Sequence, residues 1–125
     1  MHKAFFGDRE RDFVLTPHLI PELERLAGRG IAAIVDDMVL NRRAWFAEIA
    51  AVIRLALIGA GAPPQEADTL VKTYVPIRPL AEAHLLAMNV LLDLWNGPVA
   101  DELDDLADNP AATGDVAAAI NAGAA

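Results

Sequence analysis

The amino-acid sequence predicts a mainly α-helical protein: a compact bundle of about five helices with a small N-terminal β-hairpin and a C-terminal acidic helix and tail. Three observations support this prediction. Apolar residues recur at helical spacing along most of the chain. Glycine and proline separate the apolar segments. Two short aromatic and β-branched runs surround a Gly-Asp pair near the N-terminus. A chain of 125 residues has room for one ordinary domain.

Residues 3–15 predict the hairpin. Ala4-Phe5-Phe6 and the run ending at Leu15 flank a turn signal that begins at Gly7-Asp8. An isolated hairpin is marginal in water, so we expect this one to pack against the helices.

The next segment predicts two short helices. Thr16 is a candidate N-cap and Pro17 a candidate first helical residue. Pro21 would crowd the carbonyl of Pro17 in a continuous helix, so we expect a turn over 17–20 and a regular helix from about Pro21. Gly30 begins the second helix. Its apolar face comprises Ile31, Ile34, Val35 and Met38.

Residues 43–58 give the strongest helix signal, with an apolar surface broad enough to be covered on more than one side. Trp45 and Phe46 are expected in the core. Gly59-Ala60-Gly61 ends this helix and forms a corner, and residues 62–75 form the next helix, with prolines in its opening turn.

The helix predicted over residues 79–96 carries charge only at Glu82 and Asp93 and is expected to be the centre of the core. Its predicted core face comprises Leu80, His84, Ala87, Met88, Leu91 and Trp95. The uncovered apolar surface of this helix and of helix 43–58 is a candidate face for a partner or for self-association.

The last segment differs in charge and composition. Residues 98–109 predict an acidic amphipathic helix, and the Ala/Gly-rich remainder predicts a flexible tail. We therefore divide the chain into a helical domain over 1–97 and an acidic segment over 98–125. The acidic helix is interpreted as a solvated face, with a docking helix anchored by Leu103 and Leu106 as the alternative.

Composition excludes several kinds of active site. The sequence contains neither cysteine nor serine, which excludes disulfides, thiolate metal sites and serine nucleophiles. His18 and Glu22 have metal-ligand spacing but no evident third ligand. His84 is interpreted as a core or interface residue, and Asp36-Asp37 as surface charge. We therefore predict no enzyme activity, no catalytic residue, no cofactor and no metal site.

The net charge of −8 restricts the partners. Residues 1–60 are charge-balanced, and no Lys or Arg follows Arg78. Nucleic acid and anionic membranes are disfavoured because both attract basic patches. No apolar run reaches the length of a membrane span and no signal peptide is evident, so the cytoplasm is the expected location.

Three stretches, taken in order, resemble a known family. They cover residues 6–15 followed by 23–31, then 52–61, then 70–75 leading into 78–82. The chain resembles the small tail assembly chaperones of gene transfer agents and tailed phages, which are sometimes labelled phage tail tube proteins. The resemblance covers about residues 3–98.

The resemblance implies a non-enzymatic role in tail assembly and an α-rich fold. The implied partners are the tape-measure protein and tail-tube subunits, and a homo-oligomer is possible. Candidate partner-binding residues are Arg54, Tyr74, Arg78, Leu103 and Leu106. Two alternatives remain open: a structural subunit of the tail tube, and an acidic regulatory or inhibitor module that binds a basic protein.

Overall fold

Five α-helices and one β-hairpin make up the part of the chain that the computed structural model describes, residues 1–97. The elements are β1 (His2–Phe6), β2 (Arg9–Phe13), α1 (Ile20–Ala27), α2 (Ile31–Val35), α3 (Phe46–Gly59), α4 (Pro64–Tyr74) and α5 (Leu80–Asn96). A 3-10 turn, Pro17–Leu19, leads into α1, and a π-helical turn, Asp36–Leu40, extends α2. The predicted mainly α fold with an N-terminal hairpin is confirmed. The predicted acidic helix and tail lie outside the described residues, and the domain division at residue 97 stays a prediction.

The hairpin turns through two residues, Gly7 and Asp8. Its antiparallel register pairs Phe6 with Arg9 and His2 with Phe13. Gly7 has a φ of 74°, and an added Cβ there would lie 2.5 Å from Cε2 of Tyr74. Glycine at the first turn position therefore serves both the tight turn and the close approach of α4.

The inner face of the hairpin joins the core through two phenylalanines. Phe6 and Phe13 are buried and meet edge to face, with ring centroids 5.8 Å apart. Beyond β2, the Val14 amide donates to the Ala56 carbonyl of α3 at 3.1 Å. An isolated hairpin is only marginally stable, and this one is stabilised by packing against the helices, as the sequence predicts.

Helix α3 lies at the centre of the domain. It contacts α1, α4, α5 and β2, and it buries residues on several sides. The prediction that helix 79–96 would be the centre is therefore wrong. The reason is that α3 buries apolar residues on several sides, whereas the side of α5 that carries Leu85 and Trp95 stays exposed.

The buried face of α5 also differs from the prediction. Its buried residues are Ala83, Leu86, Ala87, Val90 and Leu91. Leu80 and Trp95, both predicted in the core, are exposed, and His84 and Met88 are only partly buried. Leucine, alanine and methionine occur on most sides of α5, so the spacing of apolar residues could not show which side of the helix is buried. The small side chains of Ala83 and Ala87 fit the buried side of the helix.

Two helix starts differ from their predictions. Thr16 precedes the 3-10 turn with extended backbone, but its side chain makes no capping hydrogen bond. Instead, the Leu19 amide donates to the Thr16 carbonyl oxygen. Helix α3 begins at Phe46, three residues later than predicted, because the π-helical turn and an irregular stretch occupy the chain up to Trp45.

Candidate interaction surface

The segment from residue 40 to residue 46, which we call the apolar loop, exposes three large apolar side chains. Leu40 is 74% exposed and Trp45 78% exposed, and half of Phe46 is accessible. The prediction that Trp45 and Phe46 lie in the core is wrong, because Trp45 precedes α3 and Phe46 is its first residue. Three such side chains within seven residues form an apolar projection of a kind that marks contact sites.

An ion cluster holds the base of this loop. The Arg29 guanidinium donates to both carboxylate oxygens of Glu48, at 2.9 and 2.8 Å, and also to Asp37. Glu48 is the only buried polar or charged residue in the described part of the chain, and it sits in the first turn of α3. The cluster therefore joins the α1–α2 connection, the π-helical turn and the start of α3 on either side of the loop.

Backbone contacts extend from the cluster into the loop itself. The Arg43 amide donates to the Asp37 carbonyl at 2.7 Å, and the Trp45 amide donates to a Glu48 carboxylate oxygen at 3.4 Å. Arg42 has a φ of 51°, a left-handed conformation that non-glycine residues adopt at a cost. The loop is thus held in one shape at both ends, which lowers the entropy that a partner would have to remove on binding.

The charges of the cluster are mutually stabilised. The side-chain amide of Asn41 and then the Arg29 guanidinium hold the pKa of Asp37 below its usual value of 3.8. Hydrogen bonds to Glu48, and secondarily to Asp37, raise the pKa of Arg29 above its usual value. Arg29 and Asp37 are therefore both charged at neutral pH.

A groove beside the apolar loop is bounded by α5. Its cavity volume is about 230 Å³, and its lining residues are Ala44, Phe46, Ile49, Leu80, Ala81 and His84. Nε2 of His84 lies 2.9 Å from the Met38 carbonyl oxygen, so the ring donates to the π-helical turn. His84 is thus a hydrogen-bonded interface residue, in agreement with its interpretation from the sequence.

Two of the predicted partner-binding residues meet at the hairpin. The Tyr74 ring packs edge to face on Phe6 at 5.9 Å. Arg78 donates to the Phe5 carbonyl at 3.1 Å, and its guanidinium carbon lies 5.6 Å from the centre of the Phe6 ring. These contacts hold β1 against the segment that joins α4 to α5. Their role in binding a partner stays a prediction.

The remaining predicted residues lie elsewhere. Arg54 is half-buried on α3. The pKa of Glu22 on α1 is lowered chiefly by its hydrogen bonds from Arg25 and to a smaller degree by the charge of Arg54. Leu103 and Leu106 lie outside the described residues. Sequence reasoning did not find the Arg29–Glu48 pair, because the two residues are nineteen positions apart and no motif links them.

Other arrangements that could carry chemistry are sparse within residues 1–97. No three histidine, aspartate or glutamate side chains in this range come close enough to share a metal ion. A second, mixed-charge groove of about 320 Å³ lies between β2 and the α3–α4 corner and includes Arg11 and Glu66. No helix in the same range has both the length and the apolar character required to cross a bilayer.

Comparison with known proteins identifies the family. The family model described as "Phage tail tube protein, GTA-gp10" matches residues 1–97, which is more than three quarters of the sequence. The chain belongs to this family. No match was found among the curated proteins or among the solved structures. The resemblance to gene transfer agent and phage tail proteins is thereby confirmed.

Family membership indicates what kind of protein the apolar loop could contact. The GTA-gp10 family is a family of structural phage tail proteins and is not known as an enzyme family. A phage tail protein interacts with other tail proteins, so its exposed apolar side chains are candidate contacts in that assembly.

Proposed function

We propose that this protein is a tail assembly chaperone that binds the tape-measure protein and helps recruit tail-tube subunits in the cytoplasm. The apolar loop carries the proposal: Leu40, Trp45 and Phe46 are exposed and held in place by the Arg29–Asp37–Glu48 cluster. A chaperone for a long helical protein needs an apolar surface of this kind to cover the partner until assembly.

The chemistry of the loop suits an amphipathic helix as partner. An apolar helix stripe can pack on Trp45 and Phe46 and enter the adjoining groove beside Leu80. Arg42 and Arg43 lie within the same loop, so acidic residues flanking the partner's stripe would find positive charge there. The chain's net charge of −8 would keep such a surface soluble before binding.

The small sheet favours a chaperone over a tube subunit. A subunit that closes into a tube ring needs extended strands to pair with its neighbours, and residues 1–97 contain one two-stranded hairpin. The family description nevertheless includes the words "tail tube", so a structural tube component is the second candidate.

Capture by the tape-measure protein tests the chaperone proposal. The full chain would be co-expressed with a candidate tape-measure protein of the same tail, and binding would be measured with the purified pair. Trp45→Ala should weaken binding roughly thirty-fold, as removal of a central aromatic anchor does. Leu26→Ala, on the 43% exposed Leu26 of α1, is the matched control and should bind as wild type. Equal binding by the Trp45→Ala variant would refute the role of the loop.

Purified particles distinguish the two candidates. Quantitative mass spectrometry should find this chain depleted from finished tails if it is a chaperone. Recovery in numbers matching the tube subunit would instead establish the structural role.

A further inference from the structure

The side of α5 that faces away from the core carries a regular apolar stripe. Its residues are Ala81, Leu85, Met88, Leu92 and Trp95, spaced alternately four and three residues apart. Leu85 is 56% exposed and Trp95 55% exposed, while Met88 and Leu92 are partly buried. This is the spacing of a helix seam that packs against a second helix. Strand β1 borders the stripe at Leu85, where the two elements line a shared groove, and Ala81, Leu85 and Trp95 remain exposed.

The side chains of the α5 stripe are arranged in nearly the same order from either end of the helix, except that the two end residues differ in size. Met88 is the midpoint, Leu85 and Leu92 lie on either side, and the small Ala81 and the large Trp95 are at the ends. A two-fold axis through Met88 would place each Leu85 on the partner's Leu92, and each Trp95 over the partner's Ala81. Such self-complementarity is what an isologous contact requires. We propose that the α5 stripe binds the α5 stripe of a second copy of this chain, in antiparallel orientation.

The polar flank of the stripe is compatible with this pairing. Glu82, Asn89 and Asn96 follow one edge of the stripe at seven-residue spacing. A two-fold axis perpendicular to the helices brings the same edge of both copies to one side. Each Glu82 then lies near the partner's Asn96, whose amide can donate to the carboxylate, and the two Asn89 side chains face each other. No like-charged pair is created along this edge.

Charge beyond the helix favours the antiparallel orientation. Residues 1–97 carry twelve acidic and ten basic side chains, whereas residues 98–125 carry six acidic and no basic ones. If the two α5 helices packed in parallel, the acidic segments of the two copies would begin next to each other. Antiparallel pairing separates their starting points by roughly 27 Å along the helix, more than three times the Debye length of about 8 Å at physiological salt.

This proposal does not depend on the tail-assembly role, because it uses only the surface of α5. The apolar loop and the α5 stripe share no residue. The dimer can therefore be tested with variants that leave Trp45 intact, and failure of one proposal is distinguishable from failure of the other.

Cysteine cross-linking of the full chain gives the sharpest test, because the natural sequence contains no cysteine. Met88→Cys alone should form a disulfide-linked dimer under mild oxidation, since the two sulfurs would lie near the axis. An equimolar mixture of the Leu85→Cys and Leu92→Cys chains should cross-link mainly between unlike chains. Leu26→Cys, at an exposed position on α1 outside the stripe, is the control and should form no disulfide-linked dimer. Preferential linkage between like chains in the mixture would overturn the antiparallel arrangement.

Sedimentation equilibrium provides an independent measurement. The wild-type chain should show a concentration-dependent dimer, and Leu85→Glu should weaken it at least tenfold because it buries an unpaired carboxylate. The variant should keep the wild-type circular dichroism spectrum, since Leu85 is more than half exposed. A strictly monomeric wild type, or a dimer that Leu85→Glu leaves intact, would overturn the proposal. A third outcome would also overturn it: a monomeric wild type that binds a helical partner, with that binding lost in the Leu85→Glu variant. The stripe would then be the binding site for that partner.

Discussion

Replacing Gly59 by alanine sets two physical effects against each other. Alanine favours helix over glycine by up to about 1 kcal/mol, and Gly59 is the last residue of α3. Helix propensity alone therefore predicts a more stable protein. However, a Cβ at this position would lie 1.9 Å from the Val14 carbonyl oxygen and 3.1 Å from its carbonyl carbon.

The backbone contact decides the sign of the effect. The Val14 carbonyl is main chain, so the end of β2 must move away from α3, and the hydrogen bond from Val14 to Ala56 is strained or lost. Overpacking costs about 1–3 kcal/mol and a hydrogen bond about 1 kcal/mol. After subtracting the helix-propensity gain, we expect the free energy of unfolding to fall by about 1–3 kcal/mol.

Chemical and thermal denaturation followed by circular dichroism measure this change. For a domain of this size the predicted loss lowers Tm by roughly 4–24 °C. Gly30→Ala is the matched control, because the nearest atom to its added Cβ is a flexible Glu24 carboxylate oxygen at 3.6 Å. A Gly59→Ala protein as stable as wild type would show that β2 does not lie against α3 in this way.

Three further predictions concern the ion cluster and the hairpin. Arg29→Ala leaves the buried carboxylate of Glu48 without its charged partner and should lower the free energy of unfolding by about 3 kcal/mol in urea titrations. An unchanged urea midpoint would contradict the stabilising role of the ion cluster. The pKa of Asp37 is lower in the folded protein than in the unfolded chain. The Asp37 carboxylate therefore stabilises the fold at a pH above its unfolded-state pKa, and this stabilisation is lost as the pH falls through its folded-state pKa. The stability difference between wild type and Asp37→Asn should therefore shrink below pH 3.8, and a constant difference would refute this. Tyr74→Ala removes the aromatic contact with Phe6 and should cost about 2 kcal/mol, whereas Tyr74→Phe should retain wild-type stability.

The sequence predicted those parts of the fold that local chemistry dictates. The Gly7-Asp8 turn, the proline-led start of α4 and the glycine-bounded corner after α3 each depend on backbone preferences of a few neighbouring residues. The resemblance that suggested a tail-assembly role also followed from local features, the order and spacing of helix boundaries.

The candidate interaction surface was not predictable in the same way. Trp45 and Phe46 have the composition of core residues, and they are exposed because α3 begins only at Phe46. Glu48, in the first turn of α3, is bound by Arg29 from a position nineteen residues away. No pattern in a single sequence reveals a contact of that separation.

The amino-acid sequence by itself determined that this protein is a helical domain with a hairpin and an acidic end, because periodicity, turn residues and charge are properties of neighbouring residues. Only the tertiary structure decided that α3 is the central helix, that α5 buries Ala83 and Ala87, and that Trp45 faces solvent. The physical reason is that α3 and α5 are apolar on more than one side. Which of those sides is covered depends on the packing partners that the folded chain brings together.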